Sequence, residues 1–527
     1  METVQHWADQ TAVKIIKSRP ERDVYTLASG ITPSGTVHIG NFREIITVDL
    51  VARALKKLGK KVRFIFSWDD YDVLRKIPKN LPDPKAYEIN LTRPICSIPD
   101  PWGNEKSYAR HFEKEIENIL PRAGIFPEFI YQAERYQKSI YAESIHHALV
   151  NSGKIAAILD KYRTDPLEEN WMPVSIFCEK CLSNSVKIKP YCADYKLTYS
   201  CLACKHENTV DLRSTGCVKL LWRVDWPMRW AYEKVDFEPG GKDHSSDGGS
   251  YDTARLISRE IFNHEPPVYL MYDFVRIKGR GGKISSSSGE VITLADVLEI
   301  YEPEIARFIF ASCRPNTEFA VSFDLDVVKI YEDYDRTERD YFGTGEASEA
   351  KRVKTKAGYE YSQTAEPPAV LPFQASFRHL SSILQIHNFN YEKTMNWFEK
   401  DLAESPGREK FITRMKCVHN WIEKYAPDEF KFIVNEKTPA CEPDAVMKKA
   451  ISELVSILEK NFSTYTDQSL YEEIYNIINR NSLDPKIFFK TIYQILISKD
   501  NGPRLSGFLL QIGQKKALAL LTPACHA

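Results

Sequence analysis

Apolar positions along the chain change period in an ordered way. Val24-Tyr25-Thr26-Leu27-Ala28 is a short near-continuous apolar run and predicts a buried strand. Gly30 to Gly40 is rich in Gly, Pro, Ser and Thr and reads as a loop. From about Asn41 to Leu58, Ile45, Val48, Ala52, Leu55 and Leu58 recur at spacings of three and four, predicting a helix with one apolar face that ends at Gly59. Val62 to Ser67 (VRFIFS) then predicts a second buried strand. This β-α-β beginning predicts a doubly wound parallel sheet, whose ligands sit beyond the carboxyl ends of the strands. The Gly30–Gly40 loop and the Trp68-Asp69-Asp70 turn would then face one crevice.

Further along, the pattern changes again. Residues 77–105 are proline-rich and irregular, and 106–163 read as helical with an Arg/Lys/Glu-rich face. Cysteines cluster in 171–215. Strand-and-helix alternation returns in 217–330, with Val268 to Lys278 (VYLMYDFVRIK) as one strand. The polar stretch 344–368 reads as a hinge. After about 370 strands give way to helical spacing, as in Ala445–Phe462 and Leu470–Asn479. The expectation is an α/β chain: a Rossmann-type doubly wound catalytic domain, a zinc-ribbon insertion and an all-α C-terminal domain. Its boundaries are 1–170 for the first half of the catalytic domain, 171–215 for the insertion, 216–345 for the second half and 346–527 for the helical domain.

Composition narrows the class of function without naming it. The 71 Lys and Arg balance the 72 Asp and Glu, so a nucleic-acid partner would have to be met by local patches such as Lys351–Lys356 and Lys448-Lys449. No apolar run approaches the ~20 residues of a membrane span. The segment METVQHWADQ lacks the apolar stretch of a secretion signal, so no membrane and a cytoplasmic location are expected. Eleven cysteines in a chain this long do not suggest a disulfide framework. Cys178-x-x-Cys181 and Cys201-x-x-Cys204 have the spacing of two zinc knuckles. Four thiolates would fill a tetrahedron, so the zinc would be structural. A second cluster, Asp100, Asn104, Glu105 and His111, lacks soft ligands, and no metal is expected there.

Two segments carry candidate chemistry. Thr32-Pro33-Ser34-Gly35-Thr36-Val37-His38-Ile39-Gly40-Asn41 joins a strand to a helix start, where backbone N–H groups and the helix dipole favour phosphate. His38 adds a donor for charge developing on the α-phosphate, and Gly40 leaves space for adenine. Lys283-Ile284-Ser285-Ser286-Ser287-Ser288-Gly289 follows Gly279-Arg280-Gly281-Gly282 and suits a phosphate clamp. Taken singly, the first is also readable as a plain turn and the second as a Gly/Ser linker.

Together, in this order and placement, the two segments resemble the paired signatures of class I aminoacyl-tRNA synthetases. Their wording resembles the class I lysyl-tRNA synthetases of archaea and some bacteria. The resemblance continues through Ser67–Asp72, Trp222-Arg223-Val224-Asp225-Trp226 and Gly240-Gly241-Lys242-Asp243-His244. It implies ATP-dependent joining of L-lysine to tRNA(Lys) through a lysyl-adenylate, with Mg2+ beside ATP, a helical anticodon reader, and a monomer. The implied catalytic set is His38, Asn41, Lys283, Ser285, Ser286 and Ser287. The implied ATP set is Pro33, Ser34, His38, Gly40, Asn41, Asp243 and Lys283. Gly30, Thr32, Glu44, Trp222, His244 and Tyr272 are implied for lysine, whose buried ammonium needs a carboxylate and aromatic walls. Relatives with a Cys-His pair at positions 104 and 105 would hold a second zinc that this chain lacks the ligands for. The resemblance also implies that lysine activation should be assayed with and without tRNA.

The chain departs from the general class twice. Asn41 stands where a second histidine is usual and Ser286 where a second lysine is usual. Lys278 and Arg280 are the nearest candidates in sequence for the missing charge. Three other readings stay open at this point: a synthetase for another amino acid such as glutamate, a smaller nucleotidyltransferase, and a non-catalytic zinc-ribbon nucleic-acid binder.

Overall fold

The computed structural model describes residues 6–78, 81–279, 291–439 and 442–526. They divide into two units. The first holds Met1–Leu298, Pro303–Val321 and Ala347–Pro367; the second holds Glu299–Glu302, Ser322–Glu346 and Pro368–Ala527.

The first unit is built on a five-stranded parallel sheet. Its strands are β1 (Val24–Ile31), β2 (Lys61–Trp68), β3 (Glu128–Tyr131), β4 (Val235–Gly241) and β5 (Val268–Tyr272). They lie in the order β5-β4-β1-β2-β3. The order reverses between β1 and β4, so the crevice beyond Gly30 and Gly240 is the topological switch point of a doubly wound sheet. Helix α1 (Ile39–Lys57) connects β1 to β2 and buries Ile45, Val48, Ala52 and Leu55, as the spacing predicts. It also buries Phe42, Ile46, Leu50 and Val51, whereas Leu58 lies past the helix end and is exposed.

Three sequence expectations need correction. The helical reading of 106–163 misses β3, a four-residue strand too short to show a period. The single strand expected over Val268–Lys278 is two. β5 stops at Tyr272, and Val275–Ile277 pairs instead with Phe319–Val321 in a separate sheet. The break lies at Asp273, whose Oδ1 accepts the next backbone N–H at 2.8 Å and whose own N–H goes to Pro315 O at 2.9 Å. The hinge expected at 344–368 contains the helix Glu349–Ser362. Its end is held by buried Arg307, which donates to Tyr361 O at 2.9 Å and to Asp49 at 2.7 Å.

The cysteine-rich insertion forms a three-stranded antiparallel sheet of Val186–Ile188, Lys196–Cys201 and Glu207–Asp211. The antiparallel pair Val174–Ile176 and Val218–Leu220 frames it. Its Leu197, Tyr199 and Val210 share one apolar cluster with Tyr136, Tyr141 and Ile155, so the insertion is anchored by core packing as well as by its cysteines.

Among the described residues of the second unit every regular element is a helix. Helix Ala445–Asn461 packs on Gln514–His526, and a second apolar cluster fills this region. Buried Arg414 bonds Glu302 at 2.6 Å and Asp335 at 2.7 Å, a charge triad inside this unit. Among the described residues no helix is long and apolar enough to cross a membrane.

Candidate active site

The site begins with how α1 starts. His38 is the N-cap in extended conformation, and it forms a reciprocal box with Asn41. The Asn41 N–H donates to His38 Nδ1 at 3.3 Å, and the His38 N–H donates to Asn41 Oδ1 at 3.2 Å. Because Nδ1 accepts, a neutral His38 carries its proton on Nε2, as a donor. The Ile39 N–H is also engaged, by Ile292 O at 2.8 Å, so two first-turn N–H groups are satisfied inside the protein. Gly40 leaves the imidazole its space: a Cβ there would stand 2.8 Å from His38 Nδ1.

Two adjoining recesses open at the switch point. The larger encloses about 720 Å³, enough for a nucleotide, and is lined by Thr32, Ser34, His38, Gly40, Asn41 and Asp243 among others. Tyr272 and His244 also reach it, and Arg75 and Lys76 bring positive charge to its wall. Lys278 is not on that wall. Pro33 is buried under the loop and lines neither recess. Thr32 Oγ1 donates to Asp72 at 3.1 Å, and Asp72 is paired with Lys219 at 2.5 Å.

The smaller recess encloses about 60 Å³, the size of a side chain rather than a nucleotide. Gly30, Glu44, Trp222 and His244 line it; His244 borders both recesses. Glu44 is its best-held group. Ser29 Oγ donates to Oε1 at 2.9 Å, the Gly30 N–H to the same oxygen at 3.1 Å, and Tyr272 Oη to Oε2 at 2.6 Å. Burial raises the Glu44 pKa; the bonds from Tyr272, Gly30 and Ser29 oppose the shift. Trp222 and Trp226 stack with centroids 5.2 Å apart and form an aromatic wall.

The structure therefore brings Gly30, Glu44, Trp222 and His244 onto one recess and Ser34, His38, Gly40, Asn41 and Asp243 onto the other. Thr32 and Tyr272 line the larger one, with Tyr272 reaching Glu44. Lys283, Ser285, Ser286 and Ser287, like Arg280, lie outside the described residues.

Sequence reasoning missed Glu238 and Arg229 on the smaller recess, where Asp69 of the expected turn also lies. Glu238 is buried on β4, and the Trp230 indole N–H donates to its Oε2 at 2.5 Å. Burial pushes its carboxyl up to about 7, against the Trp230 hydrogen bond and with added repulsion from Glu44. A glutamate between Phe237 and Pro239 in the short Val235–Gly241 strand was the available signal. Arg229 is the one Lys or Arg on this wall among the described residues. Its charge is already matched: Asp69 lies at 2.7 Å and Asp225 at 3.3 Å.

The four cysteines converge as their spacing predicts. The Sγ atoms of Cys178, Cys181, Cys201 and Cys204 lie within 4.8 Å of one another, with the 178–204 and 181–201 pairs at 3.6 Å. A tetrahedron with Zn–S near ~2.3 Å has edges of ~3.8 Å, so this donor set fits zinc. Four thiolates complete a tetrahedral set. Cys192 is exposed and is not part of the cluster. At the second cluster Asp100 accepts the N–H groups of Asn104 and Glu105 at 2.8 Å. His111 lies 3.3 Å from Asp100 and stacks on Trp102. Glu105 pairs with Lys114.

Comparison with known proteins bears on this arrangement. The family model described as "tRNA synthetases class I (K)" matches residues 5–365. A lysine–tRNA ligase from Borrelia garinii subsp. bavariensis is 52% identical, covering 96% of this chain and 97% of that one. One from Treponema pallidum is 47% identical, covering 98% of each. One from Thermococcus kodakarensis is 41% identical, covering 97% and 98%. Fold, paired recesses, cysteine cluster and near full-length similarity agree, and the chain belongs to the class I (K) family of tRNA synthetases.

Proposed function

We propose that the protein joins L-lysine to tRNA(Lys) with ATP, through a lysyl-adenylate. The observation that carries the choice of amino acid is Glu44, held by three donors on the wall of the smaller recess. A lysine ammonium placed there meets a fixed carboxylate, while its methylenes lie against Trp222 and Trp226. A glutamate substrate would need a cation to spare, and Arg229 is bound to Asp69 and Asp225. This argues against the glutamate reading. Near full-length similarity to ligases argues against both the nucleotidyltransferase and the non-catalytic binder.

In the first step the lysine carboxylate attacks the α-phosphorus of ATP, which enters with Mg2+, and pyrophosphate leaves. In the second a ribose hydroxyl of the tRNA's terminal adenosine attacks the lysyl carbonyl, and AMP leaves. Positioning and charge stabilisation dominate both. We assign His38 Nε2–H, Asn41, Lys283, Ser285, Ser286 and Ser287 to the phosphates. We assign Ser34, Gly40 and Asp243 to the nucleoside; Pro33, buried in the loop, shapes the loop backbone without touching the nucleoside. Gly30, Thr32 and His244 face the backbone end of lysine or its stem, and Glu44 and Tyr272 its ammonium. Arg75 and Lys76, on the wall of the larger recess, carry the positive charge that Ser286 lacks. Zinc on the four cysteines fixes the insertion and takes no chemical part. The helical unit reads the anticodon, and the protein acts as a cytoplasmic monomer, where charged tRNA is used.

The test is aminoacylation of tRNA(Lys) with each amino acid in turn, and ATP–pyrophosphate exchange with and without tRNA. Lysine alone should be attached. Attachment of glutamate, or of nothing, overturns the reading.

A further inference from the structure

The smaller recess holds two more acids than the cations around it match. Arg229 is matched by Asp69 and Asp225, and Glu233 by Arg63 at 2.8 Å. Glu44 and Glu238 remain, on α1 and β4, both on the wall of the same cavity. Neither forms an ion pair with Lys or Arg among the described residues; Glu44 is held by neutral donors and Glu238 by the Trp230 indole, with Arg229 acting on Glu238 only through space, as the weakest influence on it. The two sit on either side of the switch point, and each carboxylate raises the cost of ionising the other.

We propose that Glu238 is a second specificity-determining residue for the amino acid, which with Glu44 makes the pocket demand a side-chain cation. The inference rests on the lysine reading given above. An entering ammonium relieves the repulsion between the two carboxylates. A neutral side chain of the same length leaves that repulsion in place and must also displace water from two acids. Glu238 thus acts chiefly by penalising uncharged isosteres, as Glu44 acts by binding the cation. The buried strand position explains why Trp230 is needed: its N–H fixes the carboxylate without neutralising it.

The test compares lysine with 6-hydroxy-L-norleucine, which replaces the ammonium by a hydroxyl, as competing ligands in ATP–pyrophosphate exchange on the full-length protein. Glu238→Gln keeps an acceptor for Trp230 and removes only the charge. It should lower the lysine to hydroxynorleucine preference by at least about tenfold, with the KM of ATP within about twofold. Glu238→Asp, which draws the carboxylate back by one methylene, should lower it by about threefold. A folded Gln or Asp variant with the parental preference overturns the proposal, and so does an equal loss for both ligands. Glu44→Gln separates the two readings. If it loses the preference and Glu238→Gln does not, the lysine pocket stands and the role of Glu238 falls. If the parent itself shows no preference for lysine, the underlying reading falls.

Discussion

His38 and Asn41 cap each other across the first turn of α1, each side chain accepting the other's backbone N–H. Asparagine at 41 is therefore more than a histidine lost. It is half of the device that seats His38 and leaves Nε2 to carry the proton of the neutral ring.

The two roles separate by mutation. His38→Asn keeps a cap acceptor and should melt within about 2 °C of the parent. Lysine activation should fall about 100-fold or more, the scale for removing a donor from a developing charge. Asn41→Ala should cost about 1 kcal/mol of stability through the lost cap. Thermal melts and exchange rates on both variants check this; full activity in folded His38→Asn would remove the imidazole from the phosphate site.

Arg75 and Lys76 give a second prediction. Removing both charges (R75A/K76A) should lower kcat for activation about tenfold, through a weaker hold on departing pyrophosphate. Inhibition by added pyrophosphate should weaken in parallel, and the KM of lysine should stay within about twofold. Unchanged pyrophosphate inhibition would send the search for the compensating charge elsewhere.

The pH dependence of lysine binding follows from Glu238. Around it lie Glu44 from α1, Asp69 from the end of β2, Arg229 from helix Trp222–Glu233, Tyr269 from β5 and His244. Its carboxyl, pushed up to about 7, is ionised above that pH. The KM of lysine at saturating ATP should therefore fall up to about tenfold from pH 6 to pH 8 and stay flat in Glu238→Gln. Stability runs the other way. A folded carboxyl raised above its ordinary 4.5 contributes stability below 4.5 and loses it as pH rises through about 7. Glu113, pushed to about 7 by burial against its bond to Arg110, adds to the same loss. Only the KM profile is diagnostic; a flat parental profile would separate Glu238 from the lysine site.

How much of this was legible beforehand depended on how local the signal was. The β1–α1–β2 unit announces itself by periodicity, and the cysteine pairs by spacing. β3 has only four residues and no period. Val268–Lys278 reads as one strand because nothing in its apolarity reveals that Asp273 diverts the backbone. The Arg229–Asp69 pair spans 160 residues. Without it, the sequence cannot say that the pocket's cation is already taken. Asn41 was legible as a departure but not as a cap, since that role lies in the geometry of the first turn.

The four thiolates predict one zinc per chain by elemental analysis. Cys201→Ser should lose the metal and melt lower, because its insertion would keep the apolar anchor but lose its tether. The KM values for lysine and ATP in the folded fraction should stay within about twofold. A large loss of kcat at a temperature where the variant is folded would give the zinc more than a structural part.

Arg43, one residue before Glu44, donates to four backbone carbonyls: Phe274 at 3.2 Å, Arg314 at 2.9 Å, Pro315 at 2.7 Å and Thr317 at 2.8 Å. Anyone transplanting this pocket into another synthetase would find that the signature loop and its helix are not the smallest portable piece. The graft would have to carry the stretches around Phe274 and Arg314–Thr317 as well. Otherwise a buried guanidinium arrives without acceptors, and the carboxylate beside it loses its seat.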